Sequence, residues 1–320
     1  MMVDLDFARE HLPSIRKAAE RIFPHVRRTP ALTTDLDPTL VFKPECFQVT
    51  GSFKARGAFN AVLSLPAGTA GVVTASSGNH AQAVALAART AGLPALILIP
   101  EGANPAKVAA TRGYGARVIS AGITFANRDE KLIEAVRDSG YALVHPYDDW
   151  DVIHGQGTAA LELMGDHPDV ELIACPVGGG GQIAGWALAI KALNPDVKII
   201  GVEPEAADDA YRSFQSRTLQ RLDGPPVTMA DGVKTLSIGR RNFEVLIERG
   251  LLDGMVTVTE EELGQAVVTA WTRCKLALEP TGALTLAAFL AAKLGGSGRK
   301  GLVLSGGNAD PALIARLLNG

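Results

Sequence analysis

Residues 172–185 read Leu172-Ile173-Ala174-Cys175-Pro176-Val177-Gly178-Gly179-Gly180-Gly181-Gln182-Ile183-Ala184-Gly185. The apolar run at their start is typical of a buried strand, and an amphipathic helical pattern follows the glycines. Four glycines exceed the one or two that a tight turn needs, and they leave backbone N–H groups uncovered by any Cβ. The helix start adds its dipole to those N–H groups. The stretch therefore predicts a strand, a phosphate-binding loop and a helix.

The same alternation of strand and helix continues on both sides of this stretch. Strands are predicted at residues 71–74, 95–99, 117–120, 142–145, 172–176, 198–202 and 302–304. Helices are predicted at residues 80–90, 105–112, 127–138, 153–164, 182–192 and 311–318. Because helical crossovers of about ten or more residues separate the strands, we expect parallel strands covered by helices. The predicted fold class is α/β, with a long functional loop at residues 206–237.

Composition excludes several classes of protein. The chain has 320 residues, 47% of them hydrophobic, and 31 basic and 34 acidic residues give a net charge of −3. No basic run indicates nucleic-acid binding, so a small-molecule substrate is expected. The sequence has no apolar leader and no apolar run long enough to cross a bilayer, which predicts no membrane partner and a cytoplasmic location. The three cysteines, Cys46, Cys175 and Cys274, are far apart and predict neither a disulfide nor a zinc site.

A lysine follows a small polar turn in the stretch Thr50-Gly51-Ser52-Phe53-Lys54-Ala55. Ser52 is predicted to be the N-cap of the next helix, which would place Lys54 in the first turn. The partial positive charge of a helix start disfavours an ammonium group, and burial disfavours it as well. Both effects favour the neutral, nucleophilic amine, so Lys54 is a candidate catalytic residue.

Two further strand-to-helix corners carry polar groups. Ser76-Ser77-Gly78-Asn79-His80 places hydroxyls, an amide and free N–H groups at a helix start, where a carboxylate can bind. Ser305-Gly306-Gly307-Asn308 follows the last predicted strand. Open α/β sheets bind ligands at the carboxyl ends of their strands. These corners are therefore candidate parts of one ligand site.

A dinucleotide cofactor would also explain part of the pattern. Residues 179–184 fit G-x-G-x-x-A, and Glu203 ends the next strand, as in a dinucleotide-binding fold. An NAD-dependent dehydrogenase, however, leaves Lys54 and the two other corners without a role. On the glycine motif alone, a smaller phosphate ligand and a dinucleotide both remain open.

The four motifs at residues 50–54, 76–80, 178–181 and 305–308 occur together in the order and approximate spacing of the serine/threonine dehydratase and serine racemase family. The resemblance covers almost the whole chain. It implies pyridoxal 5′-phosphate as cofactor and the tryptophan-synthase-β fold, or fold type II, with two open, mainly parallel sheets flanked by helices.

The resemblance also implies a domain organisation. A small domain, residues 70–148, carries the substrate-carboxylate loop and is inserted in a large cofactor-binding domain formed by residues 1–69 and 149–320. Relatives of this kind predict a homodimer. No regulatory domain is expected after Gly320.

Single residues acquire roles from the same resemblance. Lys54 is similar to the lysine that forms a Schiff base with the cofactor and then moves protons at the substrate Cα. The other implied cofactor-binding residues are Phe53 beside the ring, Asn79 at the phenolic oxygen, Ser305 at the pyridine nitrogen, and Gly178, Gly179, Gly180 and Gly181 at the phosphate. The implied substrate-binding residues are Ser76, Ser77, Gly78, Asn79, His80 and Tyr147, and Ser77 is also a catalytic candidate on the opposite face of the substrate.

The Ser305 hydroxyl bears on the type of reaction. Unlike a carboxylate, a neutral hydroxyl does not keep the pyridine nitrogen protonated, so the cofactor is a weaker carbanion sink. We therefore expect β-elimination from L-threonine and/or L-serine, giving a 2-oxo acid and ammonia. Serine racemase and threo-3-hydroxyaspartate dehydratase are the alternatives within the family, and the aromatic residue Tyr147 favours a dehydratase.

The acidic stretch Glu203-Pro204-Glu205-Ala206-Ala207-Asp208-Asp209 resembles the divalent-cation site of the same family. The implied ligands are the carboxylates of Glu203 and Asp209 and the carbonyl of Ala207. Waters would complete an oxygen shell suited to Mg²⁺, Mn²⁺ or Ca²⁺.

Overall fold

The structure, a computed structural model, describes residues 3–319. Its helices are α1 (Leu5–Ile22), α2 (Lys54–Leu63), α3 (Asn79–Thr90), α4 (Pro105–Gly113), α5 (Arg128–Ser139), α6 (Trp150–Asp166), α7 (Gly181–Leu193), α8 (Asp209–Ser216), α9 (Arg240–Phe243), α10 (Glu260–Thr269), α11 (Pro280–Leu290) and α12 (Pro311–Asn319). Its strands are β1 (Leu32–Thr33), β2 (Leu40–Pro44), β3 (Val72–Ala75), β4 (Ala95–Leu98), β5 (Arg117–Ile119), β6 (Ala142–Leu143), β7 (Leu172–Pro176), β8 (Lys198–Pro204), β9 (Gly254–Val258) and β10 (Lys300–Leu304). The predicted α/β class with two mainly parallel sheets is confirmed.

The larger sheet has six strands in the order β1-β2-β10-β7-β8-β9. Only β1 runs antiparallel to its neighbour. Helices α1, α6 and α7 cover one face, and α10 and α11 cover the other. Successive residues of β10 point to opposite cores, Val303 to the first and Leu302 and Leu304 to the second. Burial on both faces explains why β7 and residues 302–304 of β10 are continuous apolar runs.

The smaller sheet has four parallel strands in the order β5-β4-β3-β6. Helices α2 and α3 pack on one face, and α5 packs on the other. The chain builds this sheet entirely between Val72 and Leu143. The domain boundaries at residues 69/70 and 148/149 stay a prediction, and residues 1, 2 and 320 of the predicted large domain lie outside the described residues.

Helix α1, which the sequence analysis did not predict, packs on α6 and α7. Its N-cap residue, Asp4, accepts a hydrogen bond from the Phe7 backbone N–H at 3.0 Å. The buried residues of the helix are Ala8, Ile15, Ala18 and Ile22. Their spacing is that of one helical face, so both the cap and the periodicity were readable in the sequence. None of the helices within residues 3–319 combines the length and apolar character needed to cross a bilayer.

The predicted N-cap role of Ser52 is wrong. Ser52 has extended backbone angles and pairs with Gly306 in an isolated antiparallel bridge, so α2 begins only at Lys54. Phe53, in helical conformation, occupies the cap position and provides no capping hydrogen bond. The Ser52 hydroxyl has no hydrogen-bond partner among residues 3–319, so it caps no N–H group of α2.

The predicted loop at residues 206–237 is also partly wrong. It contains helix α8 and a short 3₁₀-helix at Asp231–Val233. Helix α8 is strongly amphipathic, and Ala210 packs in the core of the larger sheet. Arg217, with φ of 59°, ends it in the left-handed conformation. Residues 218–230 keep the irregular structure that the prolines and glycines predict.

A buried ionic cluster joins α2 to the larger sheet and α6. The Arg56 guanidinium contacts Glu45 at 2.8 Å and Glu162 at 2.7 Å, and the Arg56 and Glu45 side chains are at most 1% exposed. Lys43 contacts the other oxygen of Glu162 at 2.6 Å. Burial would raise the pKa of Glu45, but the charge of Arg56 holds that pKa below its ordinary value. The cluster therefore depends on Arg56 to keep a fully buried carboxylate ionised.

Replacing Arg56 should destabilise the fold strongly. Arg56→Met leaves the buried Glu45 carboxylate without its cation, and breaking a buried pair in this way costs about 3–5 kcal/mol. Urea denaturation at pH 7 measures the free energy of unfolding. The matched control is Arg9→Met, which breaks the exposed Arg9–Asp6 pair and should cost less than about 1 kcal/mol. Equal losses in the two variants would contradict the prediction.

Candidate active site

A cavity of about 360 Å³ lies at the carboxyl ends of β3, β6 and β10. A smaller one, of about 40 Å³, lies at the carboxyl end of β7. The first, here the main chamber, is lined in part by Ser76, Ser77, Gly78, Asn79 and His80. The second, here the glycine chamber, is lined in part by Gly178, Gly179, Gly180 and Gly181. Both are lined by Phe53, Lys54, Tyr147, Gly179, Gly232, Thr281 and Ser305. Lys54 therefore lies where the two chambers meet.

Lys54 is the first residue of α2, which confirms its predicted place in the first turn. Its Nζ donates to the carbonyl oxygen of Pro146 at 2.7 Å and lies 5.1 Å from the centroid of the Phe53 ring. Burial lowers the pKa of the Lys54 amine to about 8, because desolvation penalises the charged form. Near neutral pH the neutral amine is thus far more abundant than in a solvated lysine.

The glycine loop is anchored through a carbonyl group. The carbonyl oxygen of Gly179 accepts hydrogen bonds from Asn242 Nδ2 at 2.6 Å and from the Gly239 N–H at 3.0 Å. Gly180 has φ of 88° at the N-cap of α7, a conformation that favours glycine. Within residues 3–319, no hydrogen-bond acceptor faces the N–H groups of residues 178–180. Orphan N–H groups at a helix start fit a phosphate.

The loop after β3 also leads into a helix start. Gly78 is the N-cap of α3 and, as a glycine, has no side chain with which to cap it. His80 is buried, and its Nε2 donates to the Val144 carbonyl at 3.1 Å. Burial, together with the nearby charge of Lys54, lowers the pKa of His80 to about 3. The imidazole is therefore neutral. A carboxylate that binds at this loop would meet hydroxyls and backbone N–H groups but no cationic histidine.

Asn79 and Ser305 reach the main chamber from different sheets. Nδ2 of Asn79 donates to Glu279 Oε1 at 2.6 Å, and its Oδ1 accepts from Asn308 Nδ2 at 2.8 Å. The buried Ser305 hydroxyl lies 3.5 Å from the Thr281 carbonyl oxygen. That distance is long for a hydrogen bond, so the hydroxyl can turn toward a ligand.

Tyr147 forms a wall common to both chambers. Its ring packs so closely on Gly179 that a Cβ at residue 179 would overlap it. Burial raises the pKa of the Tyr147 phenol, so the hydroxyl stays protonated near neutral pH.

Several residues of the site were not predicted from the sequence. Glu279 and Asp231 place two carboxylates in the main chamber, and Lys107 of α4 contacts Asp231. Asn242 anchors the glycine loop from outside. Only Glu279 carries a local signal, because it precedes Pro280 at a helix start, where proline is favoured.

The predicted metal residues lie apart from both chambers. The Glu203 carboxylate accepts hydrogen bonds from the N–H groups of Ala210 and Tyr211 at 3.3 and 2.8 Å. Asp209 is 1% exposed, and neither of its carboxylate oxygens has a hydrogen-bond donor among residues 3–319. Burial, with Asp209 nearby, raises the pKa of Glu203, and burial raises that of Asp209 to about 7. Two buried carboxylates that lack a positive partner fit a cation, with Ala207 between them in sequence.

Glu203 is fully buried against the start of α8, which argues against a dinucleotide. An acid that binds a ribose must face the ligand, whereas this carboxylate lines neither chamber. Glu203 therefore does not serve as the acidic residue of a dinucleotide-binding motif, which argues against the dehydrogenase alternative.

Known proteins share the sequence and the fold of this chain. A family model described as pyridoxal-phosphate dependent enzyme matches residues 22–306. The solved structure of a threonine deaminase from T.th. is 47% identical, with a TM-score of 0.88, and the match covers 93% of this chain and 98% of that one.

Two curated relatives carry other activities. A serine racemase of Dictyostelium discoideum is 39% identical over 319 residues, 96% of this chain and 98% of the relative. An L-threo-3-hydroxyaspartate ammonia-lyase of Saccharomyces cerevisiae is 42% identical over 311 residues, 95% of this chain and 94% of the relative. The predicted resemblance is confirmed, and the chain belongs to the family of pyridoxal-phosphate-dependent enzymes.

Proposed function

We propose that this protein is a pyridoxal-phosphate-dependent ammonia-lyase that converts L-threonine and/or L-serine to a 2-oxo acid and ammonia by β-elimination. The observation that carries the proposal is the position of Lys54. Its amine lies between a loop of orphan N–H groups and a loop suited to a carboxylate. A threonine deaminase and an L-threo-3-hydroxyaspartate ammonia-lyase among the relatives support this type of reaction.

Lys54 and most of the predicted cofactor-binding residues have a task in this proposal. When bound, pyridoxal phosphate supplies the aldehyde that joins the amine and the electron sink for the Cα carbanion. The N–H groups of Gly178, Gly179, Gly180 and Gly181 hold its phosphate, Phe53 packs beside its ring, and Ser305 faces its pyridine nitrogen. Lys54 moves the proton at the substrate Cα as a general base, which its lowered pKa favours.

The substrate is held by the loop after β3. Ser76, Ser77, Gly78 and His80 orient the substrate carboxylate, with His80 contributing its backbone N–H. The Ser77 hydroxyl serves the opposite face of the substrate, where a racemase also needs a proton carrier. Tyr147 closes the chamber as a neutral aromatic wall and excludes water from the reacting atoms.

A second candidate substrate is threo-3-hydroxyaspartate, which carries an additional carboxylate. Arg128 lines the main chamber, half-buried, with its guanidinium 5.3 Å from the centroid of the Phe125 ring. Its Nε contacts Asp129 at 3.0 Å, which leaves its terminal N–H groups for an anion.

We also propose that the protein forms a homodimer, that it is located in the cytoplasm, and that residues 70–148 form the inserted small domain.

The purified protein should be yellow and should release a 2-oxo acid from L-threonine, L-serine or threo-3-hydroxyaspartate. Lys54→Ala should lower this rate by about 10³-fold or more, since covalent and proton-transfer steps are both lost. A coupled assay of 2-oxo acid measures the elimination, and chiral analysis of serine measures any racemisation.

The matched control for that variant is Lys17→Ala, which removes an exposed lysine of α1 and should leave the rate unchanged. Borohydride should attach the cofactor to the peptide that contains Lys54. A colourless wild-type protein would overturn the proposal, and accumulation of D-serine without 2-oxo acid would assign the racemase activity instead.

The pH dependence of cofactor association should show the lowered pKa of Lys54. The neutral amine is the reactive form, so the association rate of apoenzyme with pyridoxal phosphate should rise about tenfold per pH unit below the pKa. It should level off near pH 8, the pKa of Lys54. Absorbance of the bound cofactor measures the rate, with Nα-acetyl-lysine as reference. A rate that keeps rising to about pH 10.4, as for the reference, would contradict a desolvated lysine.

We also propose that Glu203, Asp209 and the Ala207 carbonyl bind a divalent cation, Mg²⁺, Mn²⁺ or Ca²⁺. The support is the orphaned pair of Asp209 oxygens. No group of three or more His, Cys, Asp or Glu side chains is assembled for a metal within the described chain. A cation here would therefore need backbone and water oxygens, which Mg²⁺ and Ca²⁺ accept.

Cation binding should raise thermal stability through this pair. At a cation concentration about 100 times Kd, linkage predicts a gain of about 2.7 kcal/mol, which a thermal melt with and without chelator detects. Asp209→Asn should abolish the gain and be at least as stable as wild type in chelator, because it removes a buried charge. Glu205→Gln, at an exposed position of the same loop, should keep the gain. Equal cation effects in wild type and Asp209→Asn would refute the site.

A further inference from the structure

Glu279 is a buried acid of the main chamber that the proposed reaction does not yet use. It occupies the N-cap position of α11, yet its side chain forms no capping hydrogen bond with that helix. The carboxylate lines the main chamber instead and is 1% exposed. A Cβ at residue 306 would overlap Glu279 Oε1, so the glycine after Ser305 makes room for this carboxylate. Its position therefore requires a partner within the site.

That partner is the side-chain amide of Asn79. The orientation of this amide follows from hydrogen bonds that link it through Asn308 to the Thr50 carbonyl oxygen. The Thr50 carbonyl oxygen can only accept, so the group of Asn308 that contacts it at 2.7 Å is Nδ2. The same Nδ2 donates its second hydrogen to Asn79 Oδ1 at 2.8 Å. Nδ2 of Asn79 must then face Glu279, to which it donates at 2.6 Å.

An amide nitrogen carries two hydrogens. Glu279 takes one hydrogen of Asn79 Nδ2, and the other remains for the chamber. Without Glu279, Asn79 would lose the acceptor that holds this end of its amide, and the remaining N–H would no longer have a fixed direction. The carboxylate thus sets the aim of the Asn79 donor.

We propose that Glu279 is a positioning residue that aims the free N–H of Asn79 at the phenolic oxygen of bound pyridoxal phosphate. This inference rests on the proposed function. A donor held at the phenolic oxygen affects the electronic state of the ring, so the visible absorption band of the bound cofactor depends on Glu279. Such a dependence is a signature that a purely structural carboxylate would not produce.

The electrostatic surroundings of Glu279 are consistent with an acceptor rather than a strong ion-pair partner. Its Oε2 has no hydrogen-bond donor among the described residues, and the nearest cation, Lys107 Nζ, lies 3.9 Å away while contacting Asp231. Burial, with the negative charge of Asp231 added, raises the pKa of Glu279 to about 7. In either protonation state one oxygen can accept from Asn79.

The test compares two substitutions in the holoenzyme. Glu279→Ala removes the acceptor and should shift the visible cofactor band and lower kcat/KM about tenfold or more, as expected for losing a charged hydrogen bond. Glu279→Gln keeps an oxygen for Asn79 and should restore the wild-type band. In the Asn79→Ala background, Glu279→Ala should cause no further change of the band, because both act through one donor.

Controls separate this role from folding and from the proposed function. Glu262→Ala removes a glutamate that caps α10 and pairs with Lys293 outside both chambers, and it should leave the band unchanged. Melting of each apoprotein reports any loss of stability, and Glu279→Gln keeps the test valid should Glu279→Ala not fold. A yellow wild-type protein whose band is identical in folded Glu279→Ala, or equally shifted in Glu279→Gln, would overturn this inference. A colourless wild-type protein would instead overturn the proposed function.

Discussion

Parallel strands bring all of their carboxyl ends to one edge of a sheet, and the site of this protein depends on that constraint. The loops after β3, β6, β7 and β10 begin where a ladder of backbone hydrogen bonds ends. Two of these loops lead directly into helices, whose first N–H groups have no partner within the helix. Binding capacity for a phosphate and a carboxylate thus arises from the backbone before any side chain is considered.

Burial shifts the pKa values of the side chains around that backbone site. The same desolvation acts on three groups with different results, lowering the pKa of the Lys54 amine and the His80 imidazole and raising that of the Tyr147 phenol. All three are shifted toward their neutral forms. The main chamber also holds fixed charges of both signs, Lys107, Arg128 and Asp231, so these neutral groups and the buried amine share it with charged side chains.

Local sequence signals were sufficient for part of this site. The glycine loop, Lys54 and the Ser76–His80 corner each combine a strand end, a helix start and small or polar residues within a few positions. The roles of these residues came from the family resemblance. Ser52 shows where local reasoning fails, because its backbone pairs with Gly306 and its hydroxyl has no hydrogen-bond partner among residues 3–319. Glu279, Asp231 and Asn242 could not be found from spacing, since their place depends on how distant loops approach one another.

Strand β10 connects the fold to the order in which the chain is made. It lies between β2 and β7, where Lys300 pairs with both Leu40 and Leu172. The Thr50–Lys54 turn is also held from that late segment, through the Ser52–Gly306 bridge and the Asn308–Thr50 hydrogen bond. During synthesis on the ribosome, Lys54 therefore emerges long before the residues that fix its turn. The nascent chain cannot complete this turn until β10 and the residues that follow it have left the exit tunnel.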